Sequence, residues 1–82
     1  MTATRKVHIW STRLKELRIQ NNLSQAEVAK VIQCSQVAYG MYELGKRKIP
    51  IDKLVILAKY YRVSLDYLAG LCDNVGGLAT SM

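Results

Sequence analysis

The stretch "LSQAEVAKVIQCSQVAYGMYELG", residues 23–45, contains two short helical patterns that a break of about three residues separates. In the first pattern Ser24 is a typical N-cap, and Glu27, three residues later, completes a capping box. Apolar residues then recur at the spacing of three and four that marks the buried face of a helix: Val28, Ala29 and Ile32. The break at "QCS", 33–35, is expected to end this helix.

The second pattern predicts a shorter helix over about 36–43, with Ser35 as its N-cap. Gly45 is the expected left-handed residue that ends it. Gly40 lies inside this helix, where glycine costs about 1 kcal/mol relative to alanine. Two explanations stay open: the missing side chain lets the backbone approach another molecule closely, or glycine is tolerated on an exposed face.

A connection this short forces the two helices to cross at about 90–120°, which is the geometry of a helix-turn-helix motif. Ala29 supplies the small side chain that the close approach of the two axes requires. The spacing alone would also fit another tight helical hairpin. The motif is expected over about residues 25–44.

Helical spacing continues on both sides of this motif, and no stretch shows the alternation of a strand. The remaining helices are expected over about 11–21, 52–61 and 65–71, with Ser11, Asp52 and Ser64 as caps. Helices of this length are unstable alone in water, so they must pack on one another. The sequence therefore predicts an all-α protein, a compact bundle of five short helices.

The chain has 82 residues, of which 50% are hydrophobic and 22% charged, as expected for one globular domain. We expect that domain over 11–71, between an N-terminal arm, 1–10, and a flexible C-terminal tail, 72–82. The longest apolar run, "LVILA", is far shorter than the roughly 20 residues of a membrane span. The first ten residues lack the apolar core of a signal peptide. A cytoplasmic protein without membrane contact is predicted.

Catalytic and metal-binding constellations are absent from the sequence. It has one histidine, His8, and two cysteines, Cys34 and Cys72, too few for a zinc site of about four ligands. There are no paired carboxylates, no glycine-rich phosphate loop and no Ser/His/Asp set. These absences predict a binding protein rather than an enzyme, with no cofactor and no metal.

The net charge is +6, from 12 Lys and Arg against 6 Asp and Glu. This excess fits a solubility device as well as a polyanionic partner. Placement has to decide between them, and Lys46, Arg47 and Lys48 follow one another directly after the second helix of the motif.

Four stretches occur together in the order and spacing of a known family: "RLKELR" 13–18, "LSQAEVAKVI" 23–32, "YELGKRKIP" 42–50 and "LVILAKYYRVSLDYL" 54–68. From Arg13 to about Leu71 the chain resembles the Cro/C1-type (XRE) helix-turn-helix family of phage repressors and bacterial regulators. The resemblance implies a lambda-repressor-like DNA-binding domain. It also implies that the third helix enters the major groove of double-stranded DNA.

The resemblance implies roles for individual residues. Gln25 would contact a phosphate at the start of the second helix. The positions expected to face the bases or the DNA backbone are Ser35, Gln36, Val37, Gly40, Met41, Lys46, Arg47 and Lys48. Gln25 could instead be an ordinary first-turn residue, Met41 a surface or partner contact, and the three cations merely solvated.

Two further residues are expected to have a structural role. Arg18 looks like a phosphate ligand, but the resemblance implies an internal ion pair with Glu43.

The chain also departs from the family, which commonly has polar side chains at the positions of Gly40 and Met41. Gln33 stands where the family often has glycine, so a left-handed residue there would have to be glutamine.

The function implied is a stand-alone transcriptional regulator, more specifically a repressor, that reads paired half-sites as a homodimer. The alternative is a protein-interaction module of the same fold, such as an antitoxin or an antagonist of another regulator. Tyr60, Tyr61 and Tyr67 would offer that module an aromatic surface.

Overall fold

The spacing of apolar residues is realised as helices throughout the part of the chain that the computed structural model describes, residues 8–71. The helices are α1 Ile9–Gln20, α2 Gln25–Val31, α3 Gln36–Glu43, α4 Ile51–Tyr61 and α5 Leu65–Ala69. No strand occurs within these described residues. The predicted all-α bundle of five short helices is therefore confirmed, and α3 has the predicted bounds. Residues 1–7 and 72–82, which make up most of the expected arm and the whole expected tail, lie outside the description.

Serine hydroxyls cap three of the helices as predicted. Ser24 Oγ accepts a hydrogen bond from the Glu27 amide at 3.0 Å, and Glu27 Oε1 accepts one from the Ser24 amide at 2.7 Å. This reciprocal pair is the predicted capping box. Ser35 Oγ accepts from the Ala38 amide at 3.0 Å, and Ser64 Oγ accepts from the Tyr67 amide at 2.9 Å. Each hydroxyl satisfies an amide that has no partner within its own helix.

The predicted cap of the first helix was wrong. α1 begins at Ile9, after His8, and so includes two residues expected in the arm. Ser11 lies inside the helix, where it is buried and its hydroxyl donates to the His8 carbonyl at 2.8 Å. Serine can form this bond to a carbonyl of the preceding turn as well as a cap, so its identity alone did not fix the start of the helix.

The fourth and fifth helices also differ from prediction at one end each. Pro50, in an extended conformation, stands at the N-cap of α4, and Asp52 lies in the first turn without capping it. A carboxylate there still interacts favourably with the helix dipole. α5 ends at Ala69 rather than 71, because Gly70 adopts a left-handed φ of 87°.

Each of the five helices is followed by a residue with positive φ: Asn22, Gln33, Gly45, Arg62 and Gly70. At the end of α3, the amide of Lys46 donates to the Met41 carbonyl and that of Gly45 to the Tyr42 carbonyl, each at 3.0 Å. These two bonds make a Schellman motif with Gly45 as its left-handed residue, as predicted. Gln33, which stands where the family often has glycine, has φ 55° and is therefore left-handed, as expected.

The core is made by one apolar stripe from each helix. Its fully buried members include Leu14, Val28, Tyr39, Leu57 and Leu68. α2 packs against α3, and α1 packs against both α3 and α5. Ala29 is buried in this core, as expected from its place in the helix-turn-helix. The two helices of the motif therefore pack against the rest of the bundle through this core.

Two cationic side chains bind backbone carbonyls across the bundle. Lys53 Nζ in α4 donates to the Ile32 carbonyl at the end of α2, at 2.8 Å. Arg13 in α1 donates to the Tyr67 carbonyl at 2.6 Å, and its guanidinium lies 4.1 Å from the centre of the Tyr67 ring. Among the helices described, none has the length and apolar character needed to cross a membrane.

Candidate nucleic-acid interface

α3 has one buried and one outward side. Tyr39, Tyr42 and Glu43 face the core. Gln36 and Val37 are exposed, Val37 to 76%, and Gly40 and Met41 follow them one turn later, half-buried. Because residues four apart lie on the same face of a helix, the structure brings the three predicted base-facing positions onto one surface together with Gly40. We call this surface the α3 face and define it as Gln36, Val37, Gly40 and Met41.

The predicted phosphate ligands lie at the two ends of α3. Ser35, the N-cap, is exposed, and its hydroxyl oxygen accepts from the Ala38 amide while its proton stays available to donate. At the other end, Lys46, Arg47 and Lys48 are all exposed in the turn between α3 and α4. A hydroxyl donor therefore lies at one end of the α3 face, and three cationic side chains lie at the other.

Gln25 lies at the start of α2, as expected, and its side chain also has a partner inside the protein. Its Nε2 donates to Glu43 Oε1 at 3.0 Å, and the residue is half-buried in the first turn of α2. Because a carboxylate only accepts hydrogen bonds, this contact fixes which way the amide points. One N–H of the amide is therefore used inside the protein, which leaves the second N–H for any phosphate.

Glu43 is the centre of a buried network. The side chain of Arg18 donates to it twice, from Nε to Oε2 at 2.6 Å and from Nη2 to Oε1 at 3.1 Å. The Tyr39 hydroxyl also donates to Oε2, at 2.6 Å. Arg18 Nη1 reaches the Leu23 carbonyl at 3.0 Å. The ion pair expected from the resemblance is thus present, and it joins α1 and the α1–α2 connection to α3.

The network sets the charge state of Glu43. Burial disfavours the charged carboxylate and raises its pKa, but the hydrogen bonds from Arg18, Tyr39 and Gln25 outweigh this and hold the pKa below its ordinary value. The hydrogen bond to Glu43 raises the pKa of the Arg18 guanidinium, so both partners stay charged at neutral pH. Burial is also the main reason that the pKa of Tyr39 is raised.

Sequence reasoning missed Gln25 and Tyr39 as ligands of Glu43. For Tyr39 a signal existed, since it stands four residues before Glu43 on the same helix face. No sequence signal identified Gln25. A buried carboxylate is expected to accept hydrogen bonds, but this expectation does not say which residues donate them.

The aromatic residues of the alternative function do not form one exposed surface. Tyr60 is 48% exposed, and its ring packs edge-to-face with that of Tyr61, which is itself half-buried. Tyr67 is covered by the guanidinium of Arg13. A single exposed tyrosine is weak support for a protein-binding patch.

An open groove of about 510 Å³ lies between α1, α4 and α5. Its walls are mainly apolar, and Lys48 of the basic turn lies at its edge; the lining residues are Trp10, Lys48, Ile49, Pro50, Ile51, Leu54 and Ala69. Within residues 8–71, no three His, Cys, Asp or Glu side chains are grouped so that they could hold a metal ion.

Comparison with known proteins agrees with this geometry. Residues 14–68 match the family model described as helix-turn-helix. The chain is 42% identical over 66 residues to the uncharacterized HTH-type transcriptional regulator YobD of Bacillus subtilis strain 168, covering 80% of this chain and 59% of that protein. It is 32% identical over 57 residues to the cryptic phage CTXphi transcriptional repressor RstR of Vibrio cholerae, covering 70% and 51%.

A solved structure shares the fold. The P22 c2 repressor in complex with synthetic operator 9T superposes with a TM-score of 0.71 at 25% identity, over 78% of this chain and 97% of that one. The chain spans only 51–59% of the length of the two curated relatives described above.

Proposed function

This chain belongs to the Cro/C1-type helix-turn-helix family, and from that membership we propose that it is a sequence-specific regulator of transcription, a repressor, that binds double-stranded DNA. α3 is the helix that enters the major groove. The observation that carries the proposal is the α3 face: polar and apolar side chains exposed on one side of a short helix whose other side is anchored in the core.

Both ends of α3 contact the DNA backbone in this proposal. The Ser35 hydroxyl and the amides of the first turn of α3 bind a phosphate on one side of the groove. Lys46, Arg47 and Lys48 lie along the backbone on the other side, and they supply the salt-dependent part of the affinity. Gln25 contacts a phosphate with its remaining N–H while Glu43 holds its amide in place.

Base reading belongs to the α3 face. Gln36 stands in the first turn of α3, the part of a recognition helix that reaches base edges. Its amide can bind adenine bidentately, and Val37 beside it can contact a thymine methyl group. We therefore propose a half-site that contains an A·T pair. Met41 extends the apolar contact one turn further along the groove.

The relatives support this function. YobD and RstR are described as a transcriptional regulator and a repressor, and the P22 c2 repressor was crystallised with operator DNA. We extend the proposal to a homodimer, because helix-turn-helix proteins that bind as dimers read two half-sites about 34 Å apart. We also propose that it acts in the cytoplasm. The groove beside Lys48 is an apolar surface next to the basic turn, and we propose that a second copy covers it.

Selection of bound sequences from a random duplex pool tests the function directly. We expect recovered sequences to share two half-sites, and affinity for them to exceed that for scrambled duplex by a factor of about 10³ or more at one salt concentration. Absence of binding even at low salt, together with a stable complex with another protein, would instead favour the interaction module. Sedimentation of the free and DNA-bound protein measures the oligomeric state.

A further inference from the structure

The fold has no need of glycine at position 40. Gly40 has ordinary helical φ, and a β-carbon built on it would meet only Gln25 Oε1, at 3.5 Å, which is normal van der Waals contact. The other described glycines are different. Gly45 has φ +74°, and Gly70 has φ +87° and would bring a β-carbon within 3.0 Å of Ile9 Cβ. Gly45 and Gly70 are explained by the fold, whereas Gly40 is not.

Glycine at position 40 also weakens α3. It is the least favourable residue in a helix interior apart from proline, because it loses the most backbone freedom on folding. α3 has only eight residues and gains little from propensity in the first place. Alanine would fit the space and favour the helix, so the reason for glycine lies outside the free protein.

The position of Gly40 suggests that reason. It lies on the α3 face, one turn after Gln36. Because helical side chains lean toward the N-terminus of their helix, a side chain at position 40 would cover the surface beside Gln36 and Val37. The missing side chain leaves a notch there, with the backbone of α3 on one side and the Gln25 amide on the other.

The far wall of the notch is fixed. Gln25 Nε2 is bound to Glu43 Oε1 at 3.0 Å, so its Oε1 is the atom that faces Gly40. Glu43 in turn is held by Arg18 and Tyr39. A wall built in this way does not collapse into the notch when DNA approaches.

We propose that Gly40 is a specificity-determining residue, whose notch lets an edge of the major groove approach the α3 backbone closely enough for Gln36 and Val37 to reach their bases. This inference rests on the proposed DNA-binding function. It assigns the glycine to recognition rather than to tolerance on an exposed face.

The experiment compares the wild-type chain with Gly40→Ala and Gly40→Gln, two helix-favouring changes of increasing size. Melting temperature and affinity for the selected duplex and a scrambled duplex are measured at one salt concentration. We expect Gly40→Ala to raise the melting temperature by roughly 4–8 °C. Its affinity for the selected duplex should fall by about tenfold or more, while affinity for scrambled duplex changes little. Gly40→Gln should lose more discrimination than Gly40→Ala.

Two results would overturn the inference while the proposed function stands. One is an unchanged ratio of selected to scrambled affinity in both variants, which would make Gly40 a tolerated residue. The other is a lowered melting temperature in Gly40→Ala, which would show that the fold itself needs the glycine. Failure of the wild-type chain to bind any duplex would overturn the DNA-binding function, and this inference with it.

Discussion

Arg18 and Glu43 form an ion pair with a separation of 2.6 Å between Nε and Oε2, and only 15% and 3% of their side-chain surfaces are exposed. Arg18 belongs to α1, and Glu43 is the last residue of α3. The pair therefore fixes the orientation of α3, the helix proposed to read DNA, relative to α1. Loss of the pair should alter recognition through the orientation of α3.

The first prediction concerns the energy of this pair. Arg18→Ala leaves a buried carboxylate without its cation, and such a change costs about 3–5 kcal/mol. Glu43→Ala leaves Arg18 without its carboxylate and should also be destabilising. The double mutant should cost less than the sum of the two, as measured by urea unfolding. Additive effects would mean that the two side chains contribute independently and would return Arg18 to the set of phosphate ligands.

The second prediction is a pH dependence of stability. The folded-state pKa of Glu43 lies below its ordinary value of 4.5. The ionised carboxylate therefore contributes stability that is fully present above that ordinary value and is lost as pH falls through the lower folded-state pKa. Urea unfolding at a series of pH values should show this loss. In Glu43→Gln the acid-dependent fall should be smaller; an equal fall in both proteins would assign it to other carboxylates.

The third prediction contrasts the buried hydroxyl groups of two tyrosines. Within the described part of the chain, the buried hydroxyl of Tyr61 has no hydrogen-bond partner, and burial raises its pKa to about 12. Tyr61→Phe removes an unsatisfied polar group and should be neutral or stabilise the fold by up to about 1 kcal/mol. Tyr39→Phe removes a hydrogen bond to a charged group and should cost about 1.5–3 kcal/mol. Equal effects of the two changes in thermal unfolding would contradict the assigned hydrogen bonding.

The fourth prediction concerns Arg47 as a phosphate ligand. Arg47→Ala should lower the slope of log affinity against log salt by about one unit, because one fewer counterion is released on binding. Lys59→Ala is the matched control, since Lys59 is exposed on α4 and outside the proposed interface. The control should leave the slope almost unchanged. Equal slopes for wild type and Arg47→Ala would remove Arg47 from the backbone contacts.

The fifth prediction concerns Gln36. A bidentate contact with adenine discriminates between bases by about 1–3 kcal/mol, whereas a phosphate contact does not discriminate. Gln36→Ala should therefore relax the preference at one base pair per half-site and leave affinity for scrambled duplex nearly unchanged. Competition binding with single-base variants of the selected site measures this. Equal weakening on both duplexes would make Gln36 a backbone contact instead.

Local signals predicted the centre of the fold better than its edges. Ser24, Glu27 and Gly45 each act within one turn of the chain, so their pattern was sufficient to place α2 and the end of α3. Ser11 failed as a cap because burial against the bundle, which no local pattern encodes, decides its role.

Those parts of the site that depend on local sequence could also be predicted. The α3 face follows from helical periodicity once the helix is placed. The Arg18–Glu43 pair, which joins residues far apart in sequence, was expected from family resemblance alone. The bond from Gln25 to Glu43 depends on how α2 crosses α3, and this is known only when the helices are assembled.

The ends of α1, α2 and α4 have a consequence for how this domain can change. Asn22, Gln33 and Arg62 adopt left-handed backbone conformations that glycine would adopt with less strain, and all three are exposed and outside the α3 face. Substitution of any one of them by glycine is therefore expected to stabilise the fold. A domain that carries such a substitution can accept costly replacements on the α3 face, and so change the DNA sequence that it is proposed to read, without losing the ability to fold.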